Sequence, residues 1–544
     1  MKQLIFLLVA GLFFTYCKTS AYEVSAEESN SISVELIQKS VPLFVGQDNA
    51  QAVQVVVKNK QQEATLELTG LTVYFDSKKQ VKSLAAVAVA TKTGEDNRVF
   101  ARTEKPSKKT ELKGSIVLNQ EEQTFNLNLE VKEEADLLAE IEIQRVELQF
   151  GNGQTVEVQP AASHTYRLAK ELRAAGQDQA DTYRIPGLVT TNEGTLIAVY
   201  DIRYNNSKDL QENIDVGMSR STDGGQSWEP MRVIMDMGEW GGRSERLNGI
   251  GDPSVLYDHT TGTLWVAGLW MSGATEKDML WWASKPGMSP EVTGQFVLTK
   301  STDDGLTWSE PINVTEQIKD PAWQLLLQGP GRGITLEDGT LVFPAQFKAD
   351  IGEKALDGGQ YSCHSTIVYS QDGGQSWHIG TGAKSNTTEA QVVQLTDGSL
   401  MLNMRDDRNR KDKSDTNGRA VATTSDLGKT WTAHATSNSA LPESNCMASI
   451  ISADLNVNGK KQRVLFFSNP NNKNQRTNMT IKTSLDEGMT WPEKYQLELN
   501  EAGGYGYSCM TMIDDKTIGI LYEGVKNLYF QKIPVAELLG DLTK

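Results

Sequence analysis

The sequence predicts an all-β protein in which a β-propeller of repeated units follows a small N-terminal β-sandwich. A motif with the pattern Ser/Thr-x-Asp-x-Gly-x-Ser/Thr-Trp occurs five times after residue 220. Its intervals of roughly 50 to 80 residues suit one four-stranded blade each. Before residue 160, apolar and polar residues alternate, as they do in half-buried strands. The length of 544 residues exceeds that of a single ordinary core, so more than one domain is expected.

Residues 1–21 have the features of a secretory signal peptide. Lys2 precedes an apolar run from Leu4 to Phe14. Small residues follow this run, and the last of them is Ala21. Cys17 lies where a bacterial lipoprotein carries its lipidated cysteine, although Tyr16 fits that pattern poorly. We therefore expect a secreted or periplasmic protein, with lipidation at Cys17 as an alternative. No later segment is apolar enough to predict a transmembrane span.

Composition limits the classes of ligand. The formal net charge of −17 argues against nucleic-acid binding, and an anionic ligand would need a local basic cluster. Cys363, Cys446 and Cys509 are spaced neither as a disulfide framework nor as a zinc site, so we expect small buried side chains. The histidines are scattered, and the sequence predicts no metal or other cofactor.

Residues 22–160 are predicted to form the antiparallel β-sandwich. Apolar residues alternate in runs such as Phe125 to Val131, and polar turns such as Asn152-Gly153 separate the runs. All tryptophans lie at or after Trp228, so this region has no Trp side chain that could bind a sugar. A support domain and a carbohydrate-binding module both remain open.

Residues 161–181 are predicted to form a linker helix before a second domain over residues 182–544. Tyr166 to Ala175 is rich in helix formers, and Gly176 follows as a natural stop.

The five repeated motifs are predicted to be structural turns. In each, the Asp side chain would accept hydrogen bonds from backbone N–H groups, and the Trp would be an apolar anchor. A calcium loop would need several spaced oxygen ligands, which the motif lacks. The motifs are Ser221–Trp228, Ser301–Trp308, Ser370–Trp377, Thr424–Trp431 and Ser484–Trp491.

These motifs resemble the Asp boxes of the sialidase (neuraminidase) family, from about Tyr183 to the C-terminus. The resemblance implies a six-bladed β-propeller, and five boxes agree with it because the family also has blades without a box. The ring would close by pairing the chain ends, with Asn527 to Ile533 as a candidate closing strand.

Three arginines lie beside strand-like runs. Arg184 precedes Ile-Pro, Arg405 ends Leu-Met-Leu-Asn-Met-Arg, and Arg476 begins Arg-Thr-Asn-Met-Thr. Each alone would be read as a solvated charge, but together guanidinium groups can bind a carboxylate through paired hydrogen bonds. The resemblance implies that they bind the carboxylate of sialic acid. Glu523 resembles the glutamate that orients the first arginine.

The segment from Asp201 to Asp209 is, by composition, a polar loop after a strand. It resembles the family pattern Asp-x-Arg followed by a mobile loop that carries an aspartate. The resemblance implies Asp209 as general acid/base and Arg203 as a pocket arginine, while Asp201 is expected to be structural. Asp252, in Gly-Asp-Pro-Ser-Val, resembles an aspartate that lines the sugar pocket.

The nucleophile implied by the resemblance is a tyrosine. A carboxylate nucleophile would be repelled by the carboxylate that sialic acid carries at its anomeric carbon, whereas a phenol assisted by a base would not. The segment Gly-Tyr-Gly-Tyr-Ser-Cys offers Tyr505 and Tyr507, and the family's Tyr-Ser pattern favours Tyr507. Glu389, before an apolar strand, is its implied partner.

The resemblance thus implies an exo-α-sialidase that acts on sialylated glycans, glycoproteins or glycolipids with retention of configuration. Two alternatives remain open. The same fold serves trans-sialidases and intramolecular trans-sialidases, and an Asp-box propeller can also be a binding protein without catalysis.

Overall fold

The computed structural model describes residues 27–28, 32–59, 66–93, 96–118, 120–275, 279–349 and 355–543. Its regular structure is almost entirely β, so the predicted fold class is confirmed. The predicted signal peptide and Cys17 lie outside the described residues. Within them, no helix is both long and apolar enough to cross a membrane.

The described part of the chain before residue 174 forms two sheets. One has the strand order β1-β2-β4-β9-β6-β7, and β10, β5 and β8 belong to the other. Apolar side chains of both sheets, among them Phe125 and Leu148, share one buried cluster. The strands are β1 (Glu27–Glu28), β2 (Ile32–Gln38), β3 (Leu43–Phe44), β4 (Val53–Asn59), β5 (Leu66–Phe75), β6 (Leu84–Thr93), β7 (Asp96–Thr103), β8 (Lys109–Leu118), β9 (Glu122–Val131), β10 (Glu140–Phe150), β11 (Thr155–Val158) and β12 (Thr165–Arg173), with helix α1 (Lys78–Val81) after β5.

Antiparallel sheets of consecutive strands follow from residue 182. The first sheet contains β13 (Thr182–Thr190), β14 (Leu196–Arg203), β15 (Ile214–Ser221) and β16 (Arg232–Met235). The second contains β17 (Ile250–Asp258), β18 (Thr263–Trp270), β19 (Gln295–Ser301) and β20 (Ile312–Asn313), with the short β22 (Gly331–Arg332) parallel to β17. The third contains β21 (Leu325–Gln328), β23 (Ile334–Thr335), β24 (Leu341–Ala349), β25 (Ser362–Ser370), β26 (His378–Ile379) and β27 (Lys384–Ser385).

The later sheets have the same meander. They contain β28 (Thr387–Gln394), β29 (Leu400–Asp406), β30 (Ala420–Thr424) and β31 (Thr432–Ala433); β32 (Ser449–Val457), β33 (Lys460–Pro470), β34 (Met479–Ser484) and β35 (Gln496–Asn500); β36 (Ser508–Asp514), β37 (Thr517–Glu523) and β38 (Leu528–Pro534). The helical pieces are α2 (Leu280–Ala283), α3 (Thr315–Ile318), α4 (Val535–Leu539) and the 3-10 turns Gln177–Gln179, Glu245–Leu247, Asp407–Arg410, Glu493–Tyr495 and Gly540–Thr543.

The innermost strands of these sheets adjoin one another. β28 contacts β32, β32 contacts β36, β36 contacts β13, and β13 contacts β17. The first and last sheets are therefore neighbours, as in a closed propeller. The count of six blades and the domain boundaries at residues 160 and 182 stay predictions.

The predicted linker helix is wrong, because its residues form strand β12. On one side Tyr166 pairs with Ile141 of β10, and on the other Lys170 pairs with Phe530 of β38. Partners along both edges satisfy the backbone and override a local helix propensity that is only a weak preference. The candidate closing strand is β38, but β12 is the strand that completes the last sheet.

The Asp boxes form the predicted turns. In the first, Asp223 accepts hydrogen bonds from the backbone N–H of Ser227 at 2.9 Å and from the hydroxyl of Ser221 at 2.8 Å. Gly225 has a φ of 86°, which its lack of a side chain permits. Equivalent bonds from the residue four positions later are made by Asp303, Asp372, Asp426 and Asp486.

The three described cysteines are buried and form no disulfide, as predicted.

Candidate active site

The predicted site residues meet where the innermost strands begin. Arg184, Asp252 and Glu389 lie near the starts of β13, β17 and β28, and Tyr507 directly precedes β36. They surround or adjoin a cavity of about 300 Å³. Its lining includes Asp209, Asp252, Glu389, Arg405 and Tyr507 on the polar side, and Leu210, Leu269, Met279, Leu280, Trp281, Trp282 and Leu327 on the apolar side.

Tyr507, Glu389 and Arg405 form one hydrogen-bonded group at the cavity. The buried Tyr507 hydroxyl donates to one carboxylate oxygen of Glu389, and Arg405 Nη1 donates to the other at 2.5 Å. Arg405 Nη1 also lies 3.1 Å from the Tyr507 oxygen. Burial, and after it the Glu389 carboxylate, raise the pKa of the Tyr507 hydroxyl well above its usual value. Tyr507 is therefore a neutral phenol whose proton already points at a base.

Arg184 is held by the buried carboxylate of Glu523. Its Nε donates to Glu523 Oε1 at 3.0 Å, and its guanidinium carbon lies 4.6 Å from the ring centre of Tyr505 and 5.2 Å from that of Tyr507. Ile185 has a φ of 59°, and its N–H donates to the same Glu523 oxygen at 2.9 Å. This irregular start of β13 directs the Arg184 side chain to the site.

Arg476 lies beside Tyr507 and is held by two backbone oxygens. Its guanidinium carbon lies 5.7 Å from the Tyr507 ring centre, while Nη1 donates to the backbone oxygen of Tyr505 at 2.8 Å and Nη2 to that of Asn445 at 3.0 Å. Arg184, Arg405 and Arg476 therefore all converge on Tyr507.

Asp209 reaches the cavity from the loop after β14. One of its carboxylate oxygens accepts hydrogen bonds from Arg203 at 2.8 Å and from Arg184 at 3.3 Å. The Asp209 side chain is 56% exposed. Its partial removal from water would raise its pKa, but Arg203 and then Arg184 outweigh that effect and lower the pKa. Arg203 is itself buried and bonded to Asp201 at 2.7 Å. Asp209 is thus an ionised carboxylate at neutral pH.

Asp252 differs from Asp209 in its electrostatics. Burial, followed by the charges of Asp201 and Asp209, raises the Asp252 pKa well above its usual value and favours a neutral carboxyl group. Its backbone N–H donates to Asp201 at 2.8 Å, and its φ is 55°. Two neighbouring carboxyl groups therefore differ in protonation, which is frequent at catalytic sites.

The described residues contain no group of three His, Cys, Asp or Glu side chains arranged to hold a metal ion.

Comparison with known proteins identifies the family. The family of BNR repeat-like domains matches residues 194–521. A structure titled Hadza microbial sialidase Hz136 superposes with a TM-score of 0.83 and 40% identity, covering 92% of this chain and 99% of that one. The chain belongs to the sialidase family.

Two curated members of the sialidase family are longer than the region they share with this chain. A sialidase of Bacteroides fragilis is 52% identical over 375 residues, which cover 69% of this chain and 66% of that protein. A sialidase of Micromonospora viridifaciens is 31% identical over 376 residues, which cover 68% of this chain and 54% of that protein.

Sequence reasoning missed two parts of the site of this sialidase-family member. Asn445 accepts from Arg405 Nη2 at 2.9 Å, and its backbone oxygen accepts from Arg476, so it joins two of the three arginines. A lone Asn in a loop gives no signal of this role. Lys348 and Asp357, which hold Trp281, form the second part.

The second missed part is a buried ion pair beside the cavity. Lys348 lies 3.2 Å from Asp357 and 4.2 Å from the ring centre of Trp281, whose Nε1 donates to the same carboxylate at 3.0 Å. The pair fixes Trp281 at the cavity wall, whereas Trp282 remains 48% exposed at the rim. Lys348 and Asp357 lie on elements distant in sequence from Trp281, so no motif connects them.

Proposed function

We propose that this chain is an exo-α-sialidase that releases terminal sialic acid from glycoconjugates with retention of configuration. The observation that carries the proposal is the Tyr507 hydroxyl, bonded to Glu389 and surrounded by three guanidinium groups at the cavity wall. Membership of the sialidase family supports it.

The arginines would bind the substrate carboxylate. Arg184, Arg405 and Arg476 are oriented by Glu523, Asn445 and the Tyr505 backbone, so their donors are fixed before the substrate arrives. Preorganised guanidinium groups bind a carboxylate strongly and hold the anomeric carbon next to Tyr507. The substrate carboxylate would take over the bond that Arg184 now donates to Asp209.

That exchange would also prepare Asp209 as the acid. Losing Arg184 as a partner and gaining a nearby carboxylate both raise the pKa of Asp209, so a proton becomes available for the leaving group. In the first step, Tyr507 would attack the anomeric carbon and pass its proton to Glu389, while Asp209 protonates the glycosidic oxygen as its bond to the anomeric carbon breaks.

In the second step, Asp209 would accept a proton from water, whose oxygen attacks the anomeric carbon. The Tyr507 oxygen would leave and recover its proton from Glu389. Two displacements at the same carbon give net retention.

Tyr507→Phe tests the proposal, with Tyr505→Phe as the matched control. Loss of the phenolic oxygen should lower hydrolysis of sialyllactose by roughly 10³-fold or more, because the nucleophile is gone. Binding of an unsaturated sialic acid analogue should stay within a few-fold, because the arginines remain. Tyr505→Phe should keep most activity, since its contacts to Arg476 use the backbone. A Tyr507→Phe enzyme with near-normal turnover would refute the nucleophile assignment.

A covalent label gives a second measurement. A 3-fluoro sialosyl fluoride should slow breakdown of the intermediate, so mass spectrometry of the peptide 504–516 should find one added sugar on Tyr507. Sugar on Glu389 or Tyr505 would contradict the assignment. NMR of the first product from sialyllactose separates a retained sialic acid from a transferred or anhydro product, which the trans-sialidase alternatives require.

We further propose that residues 182–544 are the catalytic domain and that residues 22–160 support it or bind carbohydrate. Export through the signal peptide of residues 1–21 would bring the enzyme to sialylated glycoproteins and glycolipids outside the cytoplasm.

A further inference from the structure

A second cavity lies at the other end of the innermost strands. It has a volume of about 200 Å³, and its lining includes Thr190 at the end of β13 and Ser452 and Thr511 in the middle of β32 and β36. Arg184 and Thr190 lie near the two ends of β13, which places the cavity roughly 20 Å from the candidate active site at about 3.3 Å per residue.

The axis between the two cavities is packed. A side chain at Gly331 would meet Met447 Cε at 2.7 Å and Gln391 Nε2 at 3.1 Å, and one at Gly187 would meet the backbone oxygen of Gly331 at 2.5 Å. The second cavity is therefore a separate compartment that opens to the opposite face of the ring.

Arg332 projects into this cavity without an acidic partner among the described residues. Its hydrogen bonds to described residues are long and go to neutral acceptors. Nε lies 3.4 Å from the backbone oxygen of Gly333, and Nη1 lies 3.3 Å from that of Met510 and 3.5 Å from Thr511 Oγ1. The residues that line the 200 Å³ cavity include no carboxylate.

An adjoining cavity that shares Arg332 and His259 with this one does contain carboxylates. Asp454 and Glu337 line the adjoining outer part of the cavity, and Arg463 pairs with Asp454 at 2.7 Å and with Glu337 at 3.5 Å. Arg463 offsets one of these two negative charges, and neither carboxylate forms an ion pair with Arg332 among the described residues.

A guanidinium group that is largely removed from water without a counter-charge is costly, and buried charges in proteins are normally paired. We propose that the second cavity binds a small oxyanion, with Arg332 as its main ligand and the hydroxyl groups of Thr511 and Ser452 as neighbouring donors. The planar fork of Arg332 suits two oxygens of a phosphate, sulfate or carboxylate group.

The size of the cavity agrees with this ligand. At about 30 Å³ per water molecule in the liquid, 200 Å³ holds a tetrahedral oxyanion together with a few waters, but not a sugar chain. His259 also lines the cavity, and burial lowers its pKa first, followed by the charge of Arg332. At neutral pH, Arg332 is then the principal cation of the inner cavity.

Titration of the full chain with phosphate, sulfate and acetate at constant ionic strength tests the proposal. Isothermal titration calorimetry of the wild type should show a saturable site that Arg332→Gln weakens at least tenfold, in addition to any binding at the clamp of Arg184, Arg405 and Arg476. Arg220→Gln is the control, because Arg220 pairs with Glu229 and Asp304 outside the cavity. Binding that Arg332→Gln leaves unchanged and that Arg405→Gln abolishes would assign the anion to the candidate active site and overturn the proposal.

Crystals of the wild type soaked in selenate locate the ion without any variant. An anomalous peak within hydrogen-bond distance of Arg332, combined with saturable binding in solution, supports the site even if Arg332→Gln fails to fold. A peak at Arg332 without saturable binding in solution would mean an adventitious ion only. No peak at Arg332 would also refute the proposal.

Discussion

The carboxylate of Glu523 joins Arg184 to the backbone that carries Tyr507. One oxygen accepts from Arg184 Nε at 3.0 Å and from the N–H of Ile185 at 2.9 Å, and the other accepts from the N–H of Tyr507 at 2.9 Å. The Glu523 residue is only 3% exposed. A single buried side chain thus sets the distance between the proposed carboxylate clamp and the proposed nucleophile.

Glu523→Ala should destabilise the protein by about 3–5 kcal/mol, because it leaves the buried Arg184 charge with only its longer contact to Asp209 and removes the acceptor of two backbone N–H groups. Urea unfolding measures this change. Glu229→Ala is the control: its partners Arg220 and Arg232 lie in a partly exposed ion-pair cluster, where the loss should stay near 1 kcal/mol. Equal losses of unfolding free energy in the two variants would show that Glu523 stabilises the protein no more than an exposed ion-pair residue does.

Arg405→Lys should lower kcat/KM by roughly 10²-fold although the charge is kept, since an ammonium group cannot bond Glu389, Asn445 and a substrate carboxylate together. Steady-state kinetics with an aryl sialoside measures it. Arg408→Lys, at a more exposed nearby position, should be nearly neutral. A normal kcat/KM in Arg405→Lys would place the clamp elsewhere.

Asp209→Asn should impair sialyllactose far more than an aryl sialoside, because a phenol leaves with little protonation. The ratio of kcat/KM for the two substrates measures the effect. Glu212→Gln changes a carboxylate of the same loop that bonds only Asn205 among the described side chains, and it should leave the ratio unchanged. A constant ratio in Asp209→Asn would exclude the general-acid role.

A fragment of residues 183–544 should aggregate or unfold at lower temperature than one of residues 161–544. Both contain every proposed catalytic residue, but the shorter one lacks β12 and leaves the edge of β38 unpaired. Light scattering and thermal unfolding of the two fragments measure the difference. Similar behaviour of both would mean that β12 is dispensable to the last sheet.

The sequence was most informative where structure depends on local chemistry. Each Asp box contains its own turn, because Asp223 bonds residues within four positions of itself. The site residues could be named because a family resemblance connected them. Arg184 and Tyr507 are distant in sequence, and composition alone would have left both as ordinary charged and core residues.

The failures occur where distant segments decide the outcome. The segment of β12 is a strand because β10 and β38 flank it, and neither partner can be read from the segment itself. Asn445 and the pair of Lys348 with Asp357 likewise acquire their roles only through residues brought near by the fold.

The pairing of β12 with β38 also has a consequence for the order of events during synthesis. The contact of Leu168 with Gln531 spans 363 positions, so the ring cannot close until almost the entire chain has left the ribosome. Closing so long a loop is slow relative to local hairpin formation. Until β38 pairs with it, this edge of β12 is exposed. We therefore expect β12 to be the strand that needs protection by chaperones for the longest time.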